Sequence, residues 1–222
     1  SWLFIVSMGL TLTYGVMKIL NIAHGSFYAL GAYAAASAVG AYFAGHYPAA
    51  GSFLLLILAG IVVGGSAGLI VERGLLRPMY GRDEVVLVLV TYAAFLVFED
   101  LIKLVWGVDP YFAYQPYELL GRVSIGGIGF AAYDLGLFAL AIVIGVAAWW
   151  ALERTRSGKL LRAVIHDREI STAMGINVAR MFTATFVIGA ILGALGGAIT
   201  APAISVVPGI GVDVIVLAFA VS

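Results

Sequence analysis

Long apolar runs alternate with short polar segments along this chain of 222 residues. A helix needs about 20 apolar residues to cross the roughly 30 Å hydrocarbon core of a bilayer. Six runs approach that length: 2–17, 27–44, 52–71, 85–106, 134–152 and 181–201. A seventh starts near residue 213. The pattern predicts an all-α polytopic membrane protein, a bundle of about six to seven transmembrane helices that forms a single domain over residues 1–222.

The polar segments between the runs differ in charge. Segments separated by two runs lie on the same side of a membrane, and 18–26, 72–84 and 153–180 together hold ten of the twelve lysines and arginines. The segments of the opposite side hold only Arg122. Because cytoplasmic loops carry the excess of basic residues, the first set is predicted to be cytoplasmic. We expect the basic residues of 72–84 to lie at the lipid headgroups.

Composition supports a membrane protein and removes several kinds of site. The chain is 63% hydrophobic and 11% charged, whereas soluble domains are about 45–50% apolar and about 25% charged. It has no cysteine, which excludes disulfides and cysteine metal ligands. Two runs carry glycine at positions i, i+4 and i+8, a spacing typical of closely packed membrane helices. These glycines are Gly60, Gly64, Gly68, Gly189, Gly193 and Gly197. The chain starts without methionine and stops within an apolar run, so we expect it to be truncated at both ends.

The segment 153–180 is the most charged part of the chain, with six basic and three acidic residues. Asp167 is a good N-cap residue and Gly175 a good residue to follow a helix end. Between them we predict a helix of two turns, Arg168 to Met174, about 10 Å long. Joining two spans needs only about 2–8 residues. The segment therefore predicts docking to a cytoplasmic partner; the alternative is an amphipathic helix on the lipid surface.

Three polar residues follow the first run. Asn21, His24 and Tyr28 are spaced i, i+3 and i+7, which predicts one helical face. Polar groups inside a membrane are costly unless they are satisfied. They form a structural hydrogen-bond network or line a translocation path; a catalytic or metal site is the third alternative. A lone histidine without a second ligand is a poor metal site, and we predict none.

The fourth run carries Glu99, Asp100 and Lys103 near its outer end. Lys103 is four residues from Glu99 and three from Asp100, so it can pair with either on one helical face. The first interpretation is a proton relay, as in proton-coupled transporters. The second, which we favour, is an ion pair near the outer interface, with the lysine reaching towards water.

Motifs for enzymatic work are missing from the sequence. It contains no GxxxxGK[ST] phosphate-binding loop, HExxH or GxSxG, and such motifs mark ATP binding, zinc proteolysis and serine hydrolysis. We therefore predict no catalytic residues, no cofactor and no ATP site on this chain, and we predict no nucleic-acid partner.

Three groups of residues resemble one family. The stretch Gly9 to Met17 with Asn21-Ile-Ala-His-Gly25 and Leu30-Gly-Ala-Tyr33 closely resembles the N-terminal signature of LivH-type permeases. These are the membrane subunits of branched-chain amino acid ABC importers. Further matches to the family follow in the cytoplasmic segment and in the run after it: Thr155 to Gly158, Arg162-Ala163, Asp167 to Glu169, Met174 to Asn177 and Gly189 to Gly197.

The resemblance implies a multi-pass permease of the bacterial inner membrane, surrounded by lipid. Its expected partners are a second permease subunit (a LivM-like paralogue or a second copy), two cytoplasmic ATPase subunits that hold ATP and Mg²⁺, and a periplasmic solute-binding protein. It also implies that 153–180 is the cytoplasmic coupling loop. The expected ATPase contacts are Asp167, Arg168, Glu169, Met174 and Gly175.

The transported solute is left open by the sequence. Branched-chain amino acids are the solute that the resemblance implies, and the wider family also includes permeases for urea, short amides and other small organic solutes. Two alternatives come from another class of mechanism. One is a proton-coupled secondary transporter that works through Glu99, Asp100 or His24; the other is a passive channel.

Overall fold

The computed structural model describes residues 1–125 and 128–222 and consists mainly of helices. In chain order the elements are α1 (Trp2–Met17), α2 (His24–Ala44), α3 (Gly51–Val71), a π-helical turn (Glu72–Leu76), a 3-10 turn (Arg77–Met79), α4 (Glu84–Trp106), α5 (Gln115–Leu119), β1 (Arg122–Ile125), β2 (Ile128–Ala131), α6 (Ala132–Arg154), α7 (Arg156–His166), α8 (Arg168–Ala173), α9 (Val178–Thr200) and α10 (Ile210–Val221).

Each of the seven predicted apolar runs forms a helix. In the described ranges, five are long and apolar enough to cross a membrane: α2, α4, α6, α9 and α3 with its extension to Met79. The helices α1 and α10 are also apolar but shorter, with 16 and 12 residues. The predicted helical, polytopic architecture is confirmed.

Local chemistry explains several helix ends. Lys18 adopts a left-handed backbone conformation (φ 57°), and its N–H donates to the carbonyl of Tyr14 at 2.8 Å, which ends α1. The Asp83 side chain accepts a hydrogen bond from the N–H of Val85 at 3.0 Å and caps the start of α4. The same helix ends at Gly107, whose φ of 81° is readily adopted by glycine.

The helix α9 lies at the centre of the bundle and packs against α1, α2 and α3. The close approach of α3 to α9 depends on glycines, which have no side chain. A Cβ atom on Gly64 of α3 would lie 2.7 Å from the carbonyl oxygen of Ala190, and one on Gly68 would lie 2.6 Å from the Ala190 Cβ atom. Gly60 in turn approaches the backbone of Leu195.

The glycines of α9 face other neighbours. A Cβ atom on Gly189 would collide with the Thr13 hydroxyl of α1, and one on Gly197 with the carbonyl oxygen of Tyr28 in α2. Gly193 lies against the His24 ring: a Cβ atom on Gly193 would lie 3.1 Å from the Cε1 atom of that ring. The two glycine ridges therefore do not pack against each other; α3 approaches α9 on one side, while α1 and α2 approach it on another.

A small two-stranded sheet that the sequence analysis did not predict lies between α5 and α6. Strands β1 and β2 pair antiparallel, with Arg122 opposite Ala131. Two backbone hydrogen bonds of 2.9 Å also join Tyr111 to Val206. They connect the segment between α4 and α6 to the one between α9 and α10.

Candidate functional site

Residues Asp167 to Gly175, hereafter the capped segment, form a short helix with both ends fixed. The Asp167 Oδ1 atom accepts a hydrogen bond from the N–H of Ile170 at 2.8 Å. At the other end Gly175 has φ 82°, and the N–H groups of Gly175 and Ile176 donate to the carbonyls of Thr172 and Ser171, both at 3.0 Å. This pair of bonds is the Schellman motif. Both predicted caps are confirmed.

The helix itself, Arg168–Ala173, is one residue shorter than predicted, because Met174 is the C-cap residue. The next cap is also as predicted. Asn177 Oδ1 accepts a hydrogen bond from the N–H of Arg180 at 3.0 Å and starts α9. Only four residues, Met174 to Asn177, therefore separate the capped helix from the central helix of the bundle.

The capped segment presents two large apolar side chains on its surface. Ile170 is 59% exposed and Met174 76% exposed, and their i, i+4 spacing places them on one helical face. Ser171 is the buried residue of this helix. The sequence analysis named Met174 but missed Ile170, although the spacing of the pair was visible in the sequence.

The preceding helix, α7, turns its apolar face inwards. Gly158, Leu161 and Val164 are buried. A Cβ atom on Gly158 would collide with backbone carbonyls of α6, so the two helices meet closely. The Arg162 guanidinium forms an ion pair with Glu153 at 2.7 Å. Ile165, which follows Val164, lies outside this buried face and is 42% exposed.

A chain of contacts links the capped segment to the membrane helices. The Arg168 guanidinium lies over the Phe182 ring, 5.0 Å from its centre. Phe182 makes an edge contact with Tyr80, with ring centres 5.4 Å apart. The hydroxyls of Tyr80 and Thr183 both donate to Glu72 Oε1 at 2.8 Å. Glu72 therefore ties α3 to α9 and to the loop before α4.

Glu72 is fully buried and lies on the π-helical turn that extends α3. The sequence analysis missed it, since neighbouring basic residues marked this stretch only as a headgroup loop. Burial, and then the hydrogen bond to the Glu72 carboxylate, raise the pKa of Tyr80 above its ordinary value. The Tyr80 hydroxyl therefore stays protonated and remains a donor to Glu72 at physiological pH.

The three polar residues after α1 are buried at helix contacts. Helix α2 begins at His24, so Asn21 lies before the helix and the predicted single face of three residues is wrong. His24 Nε2 lies 2.9 Å from the carbonyl oxygen of Val6, and the Tyr28 hydroxyl lies 2.6 Å from the Thr200 hydroxyl. These bonds connect α2 to α1 and α9 and favour the structural interpretation. A lining role in a translocation path stays a prediction.

Over residues 1–222 the chain matches the family described as branched-chain amino acid transport system / permease component. The chain belongs to this family. The resemblance to LivH-type permeases is confirmed, and so is the prediction of a multi-pass membrane protein.

Individual relatives of this permease match most of its length. BraD of Pseudomonas aeruginosa, a high-affinity branched-chain amino acid transport system permease protein, is 25% identical over 214 residues, 93% of this chain and 69% of BraD. LivH of Escherichia coli K12, described in the same words, is 25% identical over 202 residues, 87% of this chain and 64% of LivH. The permease thus spans about two thirds of the length of these curated relatives. No solved structure matches it.

One relative carries a different name. The nucleoside ABC transporter permease protein NupC of Lactococcus lactis is 40% identical over 93 residues, which cover 41% of this permease and 29% of NupC. Identity is higher over this stretch than in the longer matches to BraD and LivH. Similarity in sequence therefore does not select one solute for this permease.

The acidic residues of α4 in this permease point in different directions. Lys103 Nζ lies 4.0 Å from Asp100 Oδ1, and both side chains are substantially exposed. Glu99 is buried, and its Oε1 atom faces the backbone of Gly211 in α10. The favoured ion pair therefore involves Asp100 alone, and Glu99 does not join it. The three residues do not come together as a relay.

The cap of the capped segment gives a direct test of its rigidity. Replacing Asp167 with alanine removes the acceptor for the Ile170 N–H, and losing such a cap costs about 1 kcal/mol. We expect amide hydrogen exchange across 168–173 to become about fivefold faster. Asp167→Asn keeps a capping oxygen while removing the charge, so it should exchange like the unmodified protein. Equal acceleration in both variants would show that charge, and not the cap, orders the helix.

Proposed function

We propose that this chain is the membrane-spanning permease subunit of an ABC importer in a bacterial inner membrane. Separate cytoplasmic ATPase subunits, which hold ATP and Mg²⁺, supply the energy. The observation that carries the proposal is the capped segment: a rigid helix on the basic side of the bundle that exposes Ile170 and Met174. Exposed apolar side chains on a short helix suit a groove on a partner protein.

The geometry around the capped segment supports its role as the energy-coupling contact. A partner that holds this helix acts on α9 through the four-residue connection, and on α3 through Phe182, Tyr80 and Glu72. We propose that transport also requires a second permease subunit and a periplasmic binding protein, and the family description as a permease component of a transport system supports such an assembly. No phosphate-binding loop occurs in the sequence, so we place ATP hydrolysis on the partner subunits.

We propose branched-chain amino acids as the solute. The support is the family description and the names of BraD and LivH. Nucleosides are the second candidate, because the NupC match has the higher identity over its shorter stretch. Urea and short amides, the alternatives that the sequence analysis left open, have no named relative among these proteins.

The deciding experiment is uptake by the full-length permease reconstituted in proteoliposomes with its ATPase subunits and binding protein. We expect accumulation of radiolabelled leucine that requires enclosed ATP and continues when a protonophore removes the proton gradient. Uridine and urea, supplied separately, identify the solute. Uptake by the permease alone that is driven by a proton gradient would overturn the proposal in favour of a secondary transporter. Downhill flux without either energy source would identify a channel.

A further inference from the structure

A cleft of about 300 Å³ lies where the three cytoplasmic segments of the chain meet. The end of α1 contributes Met17 and Lys18, the loop before α4 contributes Arg82, and the capped segment contributes Arg168. Helix α7 closes the cleft with Val164. Residues far apart in the sequence therefore build one concave surface at the inner ends of the spans.

The rim of the cleft is positively charged. Lys18, Arg82 and Arg168 line it together with a single carboxylate, that of Glu84. In residues 1–125 and 128–222, ion pairs within 4.0 Å form at Lys103 and Arg162, and none involves these three cations. Lys18 lies near the face of the Tyr14 ring and Arg168 over that of Phe182. Such stacking leaves the N–H groups at the edge of a guanidinium available to an anion.

The floor of the cleft is apolar. It is formed by Val16, Met17, Ile19, Leu87, Val164 and Phe182. Membrane helix α4 begins at Glu84 and α1 ends at Met17, so the cleft lies at the ends of these two apolar helices, with cationic and apolar side chains lining it together. This arrangement matches an amphiphile with an anionic head.

We propose that the cleft binds one anionic phospholipid of the cytoplasmic leaflet. Its phosphate contacts Lys18, Arg82 and Arg168, and the upper part of its acyl chains lies on the apolar floor. Basic pockets between membrane helices on the cytoplasmic side have this chemistry. An acidic side chain of a partner protein would satisfy the cations but leave the apolar floor uncovered. The lipid would also hold Arg168, and with it the first turn of the capped segment, in place.

The test is a titration of the full-length permease complex in neutral detergent with dioctanoyl phosphatidylglycerol, followed by native mass spectrometry. Removing both Lys18 and Arg82 (Lys18→Gln with Arg82→Gln) should weaken the tightest phosphatidylglycerol site about 25-fold, since each basic residue near a membrane surface contributes about a fivefold effect. The matched control is Arg73→Gln with Arg180→Gln, two exposed cytoplasmic arginines outside the cleft. It should bind phosphatidylglycerol with unchanged affinity.

Three further measurements identify the molecule that occupies the cleft. Phosphatidylcholine and glycerol 1-phosphate should bind far more weakly than phosphatidylglycerol, because one lacks net charge and the other lacks acyl chains. Equal affinity for either compound, or equal losses in the cleft and control variants, would overturn the proposal. If the cleft variant binds phosphatidylglycerol normally but loses its ATPase subunits, an acidic partner segment occupies the cleft instead of a lipid.

Discussion

Replacing both Ile170 and Met174 with aspartate is expected to release the ATPase subunits from the permease while leaving its fold intact. The two side chains are 59% and 76% exposed in this chain, so the change removes little packing within it. Fully burying one such side chain in an interface contributes about 1.5–3 kcal/mol. Losing two of them and adding two charges should weaken the complex by about a hundredfold or more.

Co-purification of the ATPase subunits with a tagged permease measures this loss, and ATP-driven uptake should fall with it. The matched control places aspartates on the neighbouring helix α7, at Leu160 and Ala163, which are also exposed. It adds the same charge to the same polar segment, 153–180, and should retain the ATPase subunits. Equal retention by both variants would show that the capped segment is not the ATPase contact.

This pair is a cleaner test than reversing the charges of Arg168 and Glu169, two of the expected ATPase contacts. Arg168 lies over the Phe182 ring, so altering it disturbs a contact within the permease as well as any contact with a partner. A loss of transport could then have two causes. Ile170 and Met174 avoid this ambiguity because their side chains project outwards.

Adding one methyl group at Gly197 is expected to destabilise the whole bundle. In the native packing a Cβ atom at this position would collide with the carbonyl oxygen of Tyr28 and lie 3.0 Å from the Ala32 nitrogen. Backbone atoms cannot swing aside as a flexible side chain does, so α2 and α9 must separate. The hydrogen bond between Tyr28 and Thr200 would weaken with them. Overpacking of this kind costs about 1–3 kcal/mol, occasionally more.

Thermal unfolding of the purified permease in detergent measures the effect of Gly197→Ala. The expected fall in Tm is about 5–10 °C for a cost near 2–3 kcal/mol. The control is Gly40→Ala in α2, where a Cβ atom would meet nothing within 4 Å. That variant should be neutral or slightly stabilising, because alanine is the better helix former. A similar Tm for the two variants would show that α2 and α9 are not held at the distance seen here.

Features set by local sequence were predictable. Each of the seven apolar runs forms a helix, and the caps at Asp167, Gly175 and Asn177 follow from the residue types that satisfy helix ends. These features depend on hydrogen bonds between residues only a few positions apart. The position of the capped helix was therefore predicted to within one residue.

Features set by distant contacts were not predictable. Glu72 looks like one more charge in a polar loop until the fold brings Thr183, 111 positions away, to its carboxylate. The spacing of Asn21, His24 and Tyr28 suggested one helical face, but the chain starts α2 only at His24. Similarly, spacing allowed Glu99 or Asp100 to pair with Lys103, and the rotation of α4 within the bundle decides between them.

The short connection after the capped segment has a mechanical consequence. The connection of four residues, Met174 to Asn177, is hydrogen-bonded at both ends, so the distance between the capped helix and α9 can change little. A partner that moves the capped helix therefore moves the inner end of α9 almost directly. Because α9 packs against α1, α2 and α3, a displacement of α9 acts on all three of these helices at once.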